Sequence, residues 1–444
     1  MGRFLFFRKI SSFQVIGLGF LSVIICGALL LFLPFSTQAG QSTSFLDALF
    51  TATSAVCVTG LVVQDTATHW TLFGQIIIIL LIQIGGLGVV TAVASVSMLT
   101  RRKIGLRQRN LMQEAFSTNY LSGIVKLTSF SIKFTFLLEG IGMVLLFIVY
   151  FPLYGFAKGL WYSVFHAISA FCNAGFDLMG INEPFSSLTS FHQNPIVNIT
   201  IMGLIVVGGL GFLTWDDIRK NKLCYKKYGM QTKTVLFVST VLIVFPAIYF
   251  FFGEFQSYAM STRFFGSFFQ SVTMRTAGFN TLDLAKCSEA GWMLMIILML
   301  IGGSPGSTAG GMKTTTIAIL FANIKAVFWR REDSTLFKKR VPEEVIRQAA
   351  VILMMYLTLF LSTGMIISRL ENIPLMVCLF ETASAIGTVG LTLGITTKIG
   401  TISHILLIIL MFFGRVGGLT LIFAANRGIK KTHSRYPKDH ITVG

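Results

Sequence analysis

The chain has 444 residues, of which 54% are hydrophobic and only 12% charged, with a formal net charge of +18 at pH 7 and a mean hydropathy of +0.75. That composition is too apolar for a soluble core and its surface, so a water-soluble globular protein is excluded and the chain is an integral membrane protein. The basic excess does not read as a nucleic-acid surface, because 27 of the 36 lysines and arginines sit in five stretches that alternate with apolar runs.

Residues 1–12 form a short basic N-terminus with Arg3, Arg8 and Lys9. The apolar run Phe13 to Phe35 follows, near the ~20 residues that cross a bilayer and too long for a cleaved signal peptide. Phe45 to Cys57 is apolar but too short to cross, and reads as a re-entrant helix. It leads into Val58-Thr59-Gly60-Leu61, and Leu72 to Met98 is a second span. This order of span, re-entrant helix, glycine segment and span recurs to the end, giving eight long spans in four units over residues 13–99, 128–215, 234–328 and 348–426. Basic loops at 100–127, 216–233 and 329–347 and a tail at 427–444 separate or follow the units. The positive-inside rule places all of these and both termini in the cytoplasm, so every re-entrant helix enters from outside. All four units then point the same way and can surround one axis, whereas a transporter of the inverted-repeat type would show opposed halves. The expected fold is all-α, with four tandem units around one pseudo-fourfold pore.

The glycine segments carry the chemistry. They are Val58-Thr59-Gly60, Asn173-Ala174-Gly175, Thr276-Ala277-Gly278 and Thr388-Val389-Gly390. Phe stands ten positions before each glycine (Phe50, Phe165, Phe268, Phe380), and Ser stands six before three of them (Ser54, Ser169, Ser384). A glycine between small or β-branched residues lets the backbone turn its carbonyls toward a common axis, and rings of carbonyls replace the hydration shell of an alkali cation. The C-terminal dipole ends of the four re-entrant helices favour a cation at the same place. Glycine in all four quarters suits potassium better than sodium. No other cofactor is implied. The outward loops and re-entrant stretches hold nine acids against six bases, a mildly cation-attracting mouth, although these acids equally serve simply to solvate loops.

The second span of each unit carries a further mark: Gly85-Gly86, Gly208-Gly209, Gly302-Gly303 and Gly414-Arg415. Close helix packing accounts for the first two as well as a pore-side role does. The third opens the run Gly302-Gly303-Ser304-Pro305-Gly306-Ser307-Thr308-Ala309-Gly310-Gly311, which cannot remain an ordinary helix and is expected, within residues 302–314, to be a gate loop lined by protein or water. Arg415 puts a guanidinium where the other units have glycine, either repelling cations below the filter or anchoring the loop; the alternative is a buried salt bridge to Glu139. Lys313 does not complete a phosphate loop, since Met312 intervenes and no strand precedes, and is expected to snorkel to the surface or to position the loop. His166 and Glu381 each follow a repeated Phe and are placed to brace the filter backbone. His69 and His404 have no evident partner. The six cysteines show neither pairing nor metal-ligand spacing, and only Cys287 is placed facing outward. No nucleophile with a base and no pair of catalytic carboxylates is visible, so the chain is not read as an enzyme.

At the filter segments, the glycine loop and Gly414-Arg415, the sequence resembles the potassium-translocating subunits of the bacterial Trk and Ktr systems. Arg275-Thr276-Ala277-Gly278-Phe279-Asn280, Gly387-Thr388-Val389-Gly390-Leu391 and the closing Arg435-Tyr436-Pro437 are similar to the KtrB type. The resemblance implies potassium uptake across the bacterial plasma membrane through a channel-like pore, with residues 302 to 311 as intramembrane gate beside Arg415. It also implies a homodimer resting on a cytosolic ring of nucleotide-binding KtrA- or KtrC-like subunits, with the nucleotide on the ring. Sodium dependence stays open. A sodium-selective or non-selective relative of the same fold and an alternating-access secondary transporter are the alternatives.

Overall fold

The computed structural model describes residues 11–100, 104–116, 122–181, 183–222 and 224–418. The basic residues at 3–9 and 427–438, the Arg435-Tyr436-Pro437 motif and the end of the fourth unit lie outside the described residues.

The helices are α1 (Ser12–Leu31), α2 (Phe45–Cys57), α3 (Leu72–Leu87), α4 (Val89–Leu99), α5 (Leu106–Ala115), α6 (Ile124–Phe171), α7 (Pro195–Leu210), α8 (Phe212–Asn221), α9 (Met230–Tyr249), α10 (Met260–Thr273), α11 (Glu289–Leu300), α12 (Thr314–Phe328), α13 (Glu343–Glu371), α14 (Leu375–Gly387) and α15 (Thr401–Val416). Two short antiparallel strands, β1 (Thr335–Leu336) and β2 (Lys339–Arg340), lie between α12 and α13. The helices start where the sequence caps them. Ser11 and Gln14 form a reciprocal box at α1, and the hydroxyls of Ser44, Thr71 and Ser288 accept N–H groups of the first turns of α2, α3 and α11. Glu254 accepts from Ser288 N and Oγ, and Glu371 from Gly400 N and Ser403 Oγ, so in two units an acid at the C-terminal end of the first long helix caps the second.

The long helices are apolar on both faces. On α1, Ile16, Phe20, Ile24 and Ala28 are buried while Leu18, Leu21, Ile25 and Leu29 are exposed, the pattern of a helix between protein and lipid. The re-entrant helices are enclosed instead: Ala48 to Cys57 of α2 and Phe380 to Gly387 of α14 are buried throughout, except for the partly buried Leu49. In the second unit the span and re-entrant helix run together as α6, turning at Gly155, whose φ is 75°.

Eight unbroken spans are not what the structure contains. Among the described residues, membrane-length helices are α1, α6, α9 with its π-helical continuation Phe250–Glu254, and α13. Each second span is interrupted: α3 and α4 bend by 100° at Gly88, α7 and α8 by 91° at Gly211, α11 and α12 are separated by residues 301–313, and α15 stops at Gly417. Gly88, Gly211 and Gly417 have φ of 82°, 89° and 86°, a conformation closed to other L residues at little cost only in glycine. Each stands three residues after the first glycine of the mark Gly85-Gly86, Gly208-Gly209 or Gly414-Arg415, a signal present in the sequence as Gly-x-x-Gly.

In three units the first glycine of the mark packs against the re-entrant helix. A Cβ at Gly85, Gly208 or Gly414 would run into the carbonyl oxygen of Val56, Phe171 or Ile386, four residues before the corresponding glycine of the ring segment. The interrupted helix thus lies directly on the last turn of the re-entrant helix of its own unit. Gly208→Ala is expected to lose about 2 kcal/mol of stability through overpacking, whereas Gly203→Ala on the same helix, with nothing within 4 Å, should be neutral. Thermal unfolding of the two purified variants in detergent checks the difference.

Candidate functional site: a ring of four glycine segments

Each re-entrant helix ends in the same backbone turn. Val58, Asn173, Thr276 and Thr388, two positions before the glycine, have φ of 57°, 59°, 70° and 52°, and Gly60, Gly175, Gly278 and Gly390 follow at 91°, 71°, 82° and 92°. A left-handed β-branched residue costs about 1–3 kcal/mol and persists only where its surroundings hold it. The backbone N–H of Thr59, Ala174 and Val389 donates at 2.8 Å to the carbonyls of Ser54, Ser169 and Ser384. The hydroxyls of Ser54 and Ser384 accept the N–H of Gly60 and Gly390, at 3.1 and 3.0 Å, and Ser169 Oγ donates to Phe176 O at 2.7 Å.

The third quarter is shifted by one residue. Ala277 N donates to Thr273 O at 2.8 Å, and Thr273 Oγ1 donates to Phe279 O at 2.7 Å, so Thr273 takes the place of the missing serine. Phe269, fully buried like Phe50, Phe165 and Phe380, replaces the expected Phe268. A fixed offset from the glycine could not reveal this, because the helix end is one residue shorter. The shift also identifies a brace that sequence spacing missed. The residues after the buried phenylalanines are Thr51, His166, Gln270 and Glu381, all buried. His166 holds Tyr162 O through Nδ1 at 2.7 Å and accepts Leu178 N–H at 3.4 Å, and Gln270 Nε2 donates to Asn280 Oδ1 at 2.8 Å. Glu381 does not reach the ring backbone as expected. It accepts from the hydroxyls of Thr392, at 2.8 Å, and Thr396, in the loop that follows the glycine.

The four segments close on one another in chain order. A Cβ on Gly60 would stand 2.5 Å from Ala174 O and one on Gly175 2.5 Å from Ala277 O, while Gly278 and Gly390 face Val389 O and Thr59 O in the same way. Around this ring the buried oxygens Thr59 Oγ1, Asn173 Oδ1, Thr276 Oγ1 and Thr388 Oγ1 have no hydrogen-bond partner. On one side the glycines line a cavity of about 380 Å³ together with Asp65, Asp177, Asp283, Thr392 and Thr396. Burial pushes Asp177 up to about 7, with the Met179 N–H opposing and the charge of Asp65 reinforcing the rise. Asp65 itself is committed to Ala67 N, Thr68 and Phe185 N. Arg275, just before the third ring segment, is buried and donates to Ser239 Oγ at 3.0 Å.

On the other side lies the glycine-rich segment at 301–313. Ser304 N and Thr308 N donate to Gly209 O and Gly208 O at 3.0 and 3.3 Å, Gly311 N donates to Gly414 O at 3.2 Å, and a Cβ on Gly310 would strike Thr388 Oγ1. The loop therefore runs from the second unit to the fourth, directly under the ring. Arg415 donates to Thr308 O, Gly85 O and Gly86 O, the last at 3.1 Å, and Lys313 Nζ holds Ala309 O and Gly310 O at 2.7 and 3.3 Å. Lys313 thus positions the loop. The salt bridge from Arg415 to Glu139 is absent: Glu139 accepts from Gln83 Nε2 at 3.1 Å and lies 3.9 Å from Cys172 Sγ. His69 and His404 also have partners, Thr43 Oγ1 at 2.8 Å and Thr396 O at 2.7 Å. Cys224 and Cys26 are exposed, Cys26 on a membrane-length helix, whereas Cys287 is half-buried.

A family model described as TrkH, cation transport protein, matches residues 11–431. The potassium/sodium uptake protein NtpJ of Enterococcus hirae is 39% identical over 450 residues, covering 98% of each chain. Ktr system potassium uptake protein B of Bacillus subtilis is 37% identical over 437 residues, covering 97% of this chain and 96% of its own. The crystal structure of the potassium transporter TrkH from Vibrio parahaemolyticus superposes with a TM-score of 0.75 over 94% of this chain and 85% of that one, at 18% identity, a likeness of fold.

The shifted brace is testable. Thr273→Val removes the hydroxyl that holds Phe279 O and is expected to lower stability by about 1 kcal/mol, with Thr273→Ser restoring it. Thermal unfolding of the purified variants reads both.

Proposed function

The chain belongs to the TrkH family of cation transport proteins and is of the KtrB type, and on that premise we propose that it takes up potassium through the glycine ring, with the loop at 301–313 as the gate. The single observation that carries this is the ring closure itself: each of the four glycines faces a backbone carbonyl oxygen of the next unit, with no room for a Cβ between them. The orphaned oxygens of Thr59, Asn173, Thr276 and Thr388 support it, because buried acceptors without donors are costly unless an ion or water meets them. A dehydrated potassium ion needs several such ligands at once. The acid-bearing outer cavity supplies cations to the ring, as the mildly acidic mouth predicts.

For the gate, the supporting geometry is the loop under Thr388 and the grip of Arg415 on its Thr308 carbonyl. Repulsion and anchoring, posed as alternatives by the sequence, act together. The guanidinium holds the loop under the ring and opposes a passing cation; at ~4 Å and an effective dielectric near ~20 that repulsion is about 4 kcal/mol. Opening requires the loop to leave Gly208 and Gly209 and Arg415 to leave Thr308. The basic cytoplasmic loops fit an acidic regulatory partner, and the Bacillus subtilis relative is named as part of a Ktr system, which favours a cytosolic nucleotide-binding ring beneath a homodimer with both termini on the cytoplasmic side of the plasma membrane. Sodium enters as a second reading, coupled or competing, because the Enterococcus hirae relative is named for potassium and sodium uptake. Rubidium flux into proteoliposomes, with and without sodium, distinguishes the two.

Gly60→Ser or Gly390→Ser is expected to weaken discrimination against sodium, since one side chain changes both cavity size and ligand type. Relative potassium and sodium uptake in cells lacking other systems measures it, and an unchanged ratio in both variants removes the ring from selectivity.

Shortening residues 304–310, or Arg415→Ala, should raise cation flux while leaving ion preference intact. Proteoliposome flux at or below the wild-type rate, in variants that fold and assemble normally, would overturn the gate.

A further inference from the structure

The four quarters of the ring share a backbone but not a charge. Of the buried residues Thr51, His166, Gln270 and Glu381, which occupy equivalent places on the four re-entrant helices, only the fourth is an acid. Its two oxygens meet nothing but hydroxyls: Thr392 Oγ1 at 2.8 Å and Thr396 Oγ1. Thr392 and Thr396 in turn line the outer cavity with Gly390 and the other ring glycines, so the carboxylate sits one side-chain layer behind the ion path. No cation balances it among the described residues. Of the elements packed on α14, α11 carries Glu289 and α13 carries Arg369 and Glu371 at this end, with Lys398 in the preceding loop of α15; Glu289, Arg369 and Lys398 are exposed, and Glu371 is committed to Gly400 and Ser403. His404 of α15 stops at Thr396 O, and Arg415 lies at the far end of that helix, with its guanidinium on carbonyls under the ring.

A carboxylate removed from water without a countercharge is unstable by several kcal/mol, and two donated hydroxyls recover only part of that. The charge can be balanced in two ways, by a proton on the carboxyl group or by a cation at the ring. We propose that Glu381 is an affinity-determining residue of the fourth quarter, whose negative charge and a cation at the outer face of the ring stabilise each other. This rests on reading the ring as the ion filter. The linkage is reciprocal: a bound cation favours loss of the Glu381 proton, and protonation of Glu381 weakens cation binding by the same factor. No side chain moves and no ligand is added; the effect is a field applied through Thr392 and Thr396.

The test is potassium binding to the purified full-length chain by isothermal titration calorimetry across about pH 5 to pH 9, the range in which a buried carboxyl group titrates. Glu381→Gln keeps the shape and both threonine contacts but removes the charge. It is expected to weaken potassium binding roughly tenfold at high pH and to flatten that part of the pH profile. Asp65, Asp177 and Asp283 line the outer cavity in both proteins, so the difference between the two profiles is the quantity that decides. Thr396→Val removes one donor to the carboxylate, disfavours its charged form and should move the same profile to higher pH by about one unit, which keeps the question open to test if Glu381→Gln fails to fold. Identical affinity and profile in Glu381→Gln, or an unmoved profile in Thr396→Val, overturns the inference. Gly390→Ser run alongside separates the two levels. If it alters the potassium to sodium affinity ratio while Glu381→Gln changes nothing, the filter stands and Glu381 is only structural; if it changes nothing, the filter falls and the role of Glu381 with it.

Discussion

The structure turns on a steric fact: four chain segments meet where there is no room for a Cβ. At Gly60, Gly175, Gly278 and Gly390 the neighbouring carbonyl occupies the place a side chain would take. Bringing backbone that close forces left-handed residues just before it, among them the β-branched Val58, Thr276 and Thr388. Such strain survives only if the preceding helix ends are fixed from several directions. The hydroxyls of Ser54, Thr273 and Ser384 fix them from within, and the interrupted helices α3, α7 and α15 press on their last carbonyls from outside through Gly85, Gly208 and Gly414. The rest of the architecture, from the capped helix starts to the half-exposed long helices, holds those contacts in place.

The same closeness explains why the C-terminal half of the second spans is irregular. A helix that lies on a carbonyl through a glycine and then turns sharply at Gly88, Gly211 or Gly417 leaves unpaired carbonyls near its bend. At the third unit the turn is replaced by a loop, and that loop takes up the spare groups of its neighbours: Gly208 O, Gly209 O and Gly414 O accept from it. Arg415 and Lys313 satisfy carbonyls rather than acids. A guanidinium held by carbonyl dipoles, unlike one paired with a carboxylate, keeps its net charge.

Symmetry of backbone combined with asymmetry of side chains is the other lesson of the ring. Thr51, His166, Gln270 and Glu381 do the same mechanical task, or none, with different chemistry. Fourfold geometry is what an ion needs to be coordinated evenly, and a single-chain repeat protein, unlike a homotetramer, can vary each quarter separately behind it.

The membrane class, the turns at Gly60, Gly175, Gly278 and Gly390 and the break in regular helix at residues 301–313 were legible in the sequence, because each depends on local constraints: apolar length or Gly–Pro content. The one-residue shift in the third quarter was not, since spacing counted along the chain cannot see that the end of α10 is shorter by one residue and that Phe269 and Thr273, not Phe268 and residue 272, reach the shared positions. Nor were the partners of Glu139, Arg415, His69, His404 and Glu381, which join residues up to 330 positions apart. Composition and period determine what must be buried in lipid and how often the chain returns to the axis; which oxygen meets which donor there is decided only when four distant segments are packed to backbone contact.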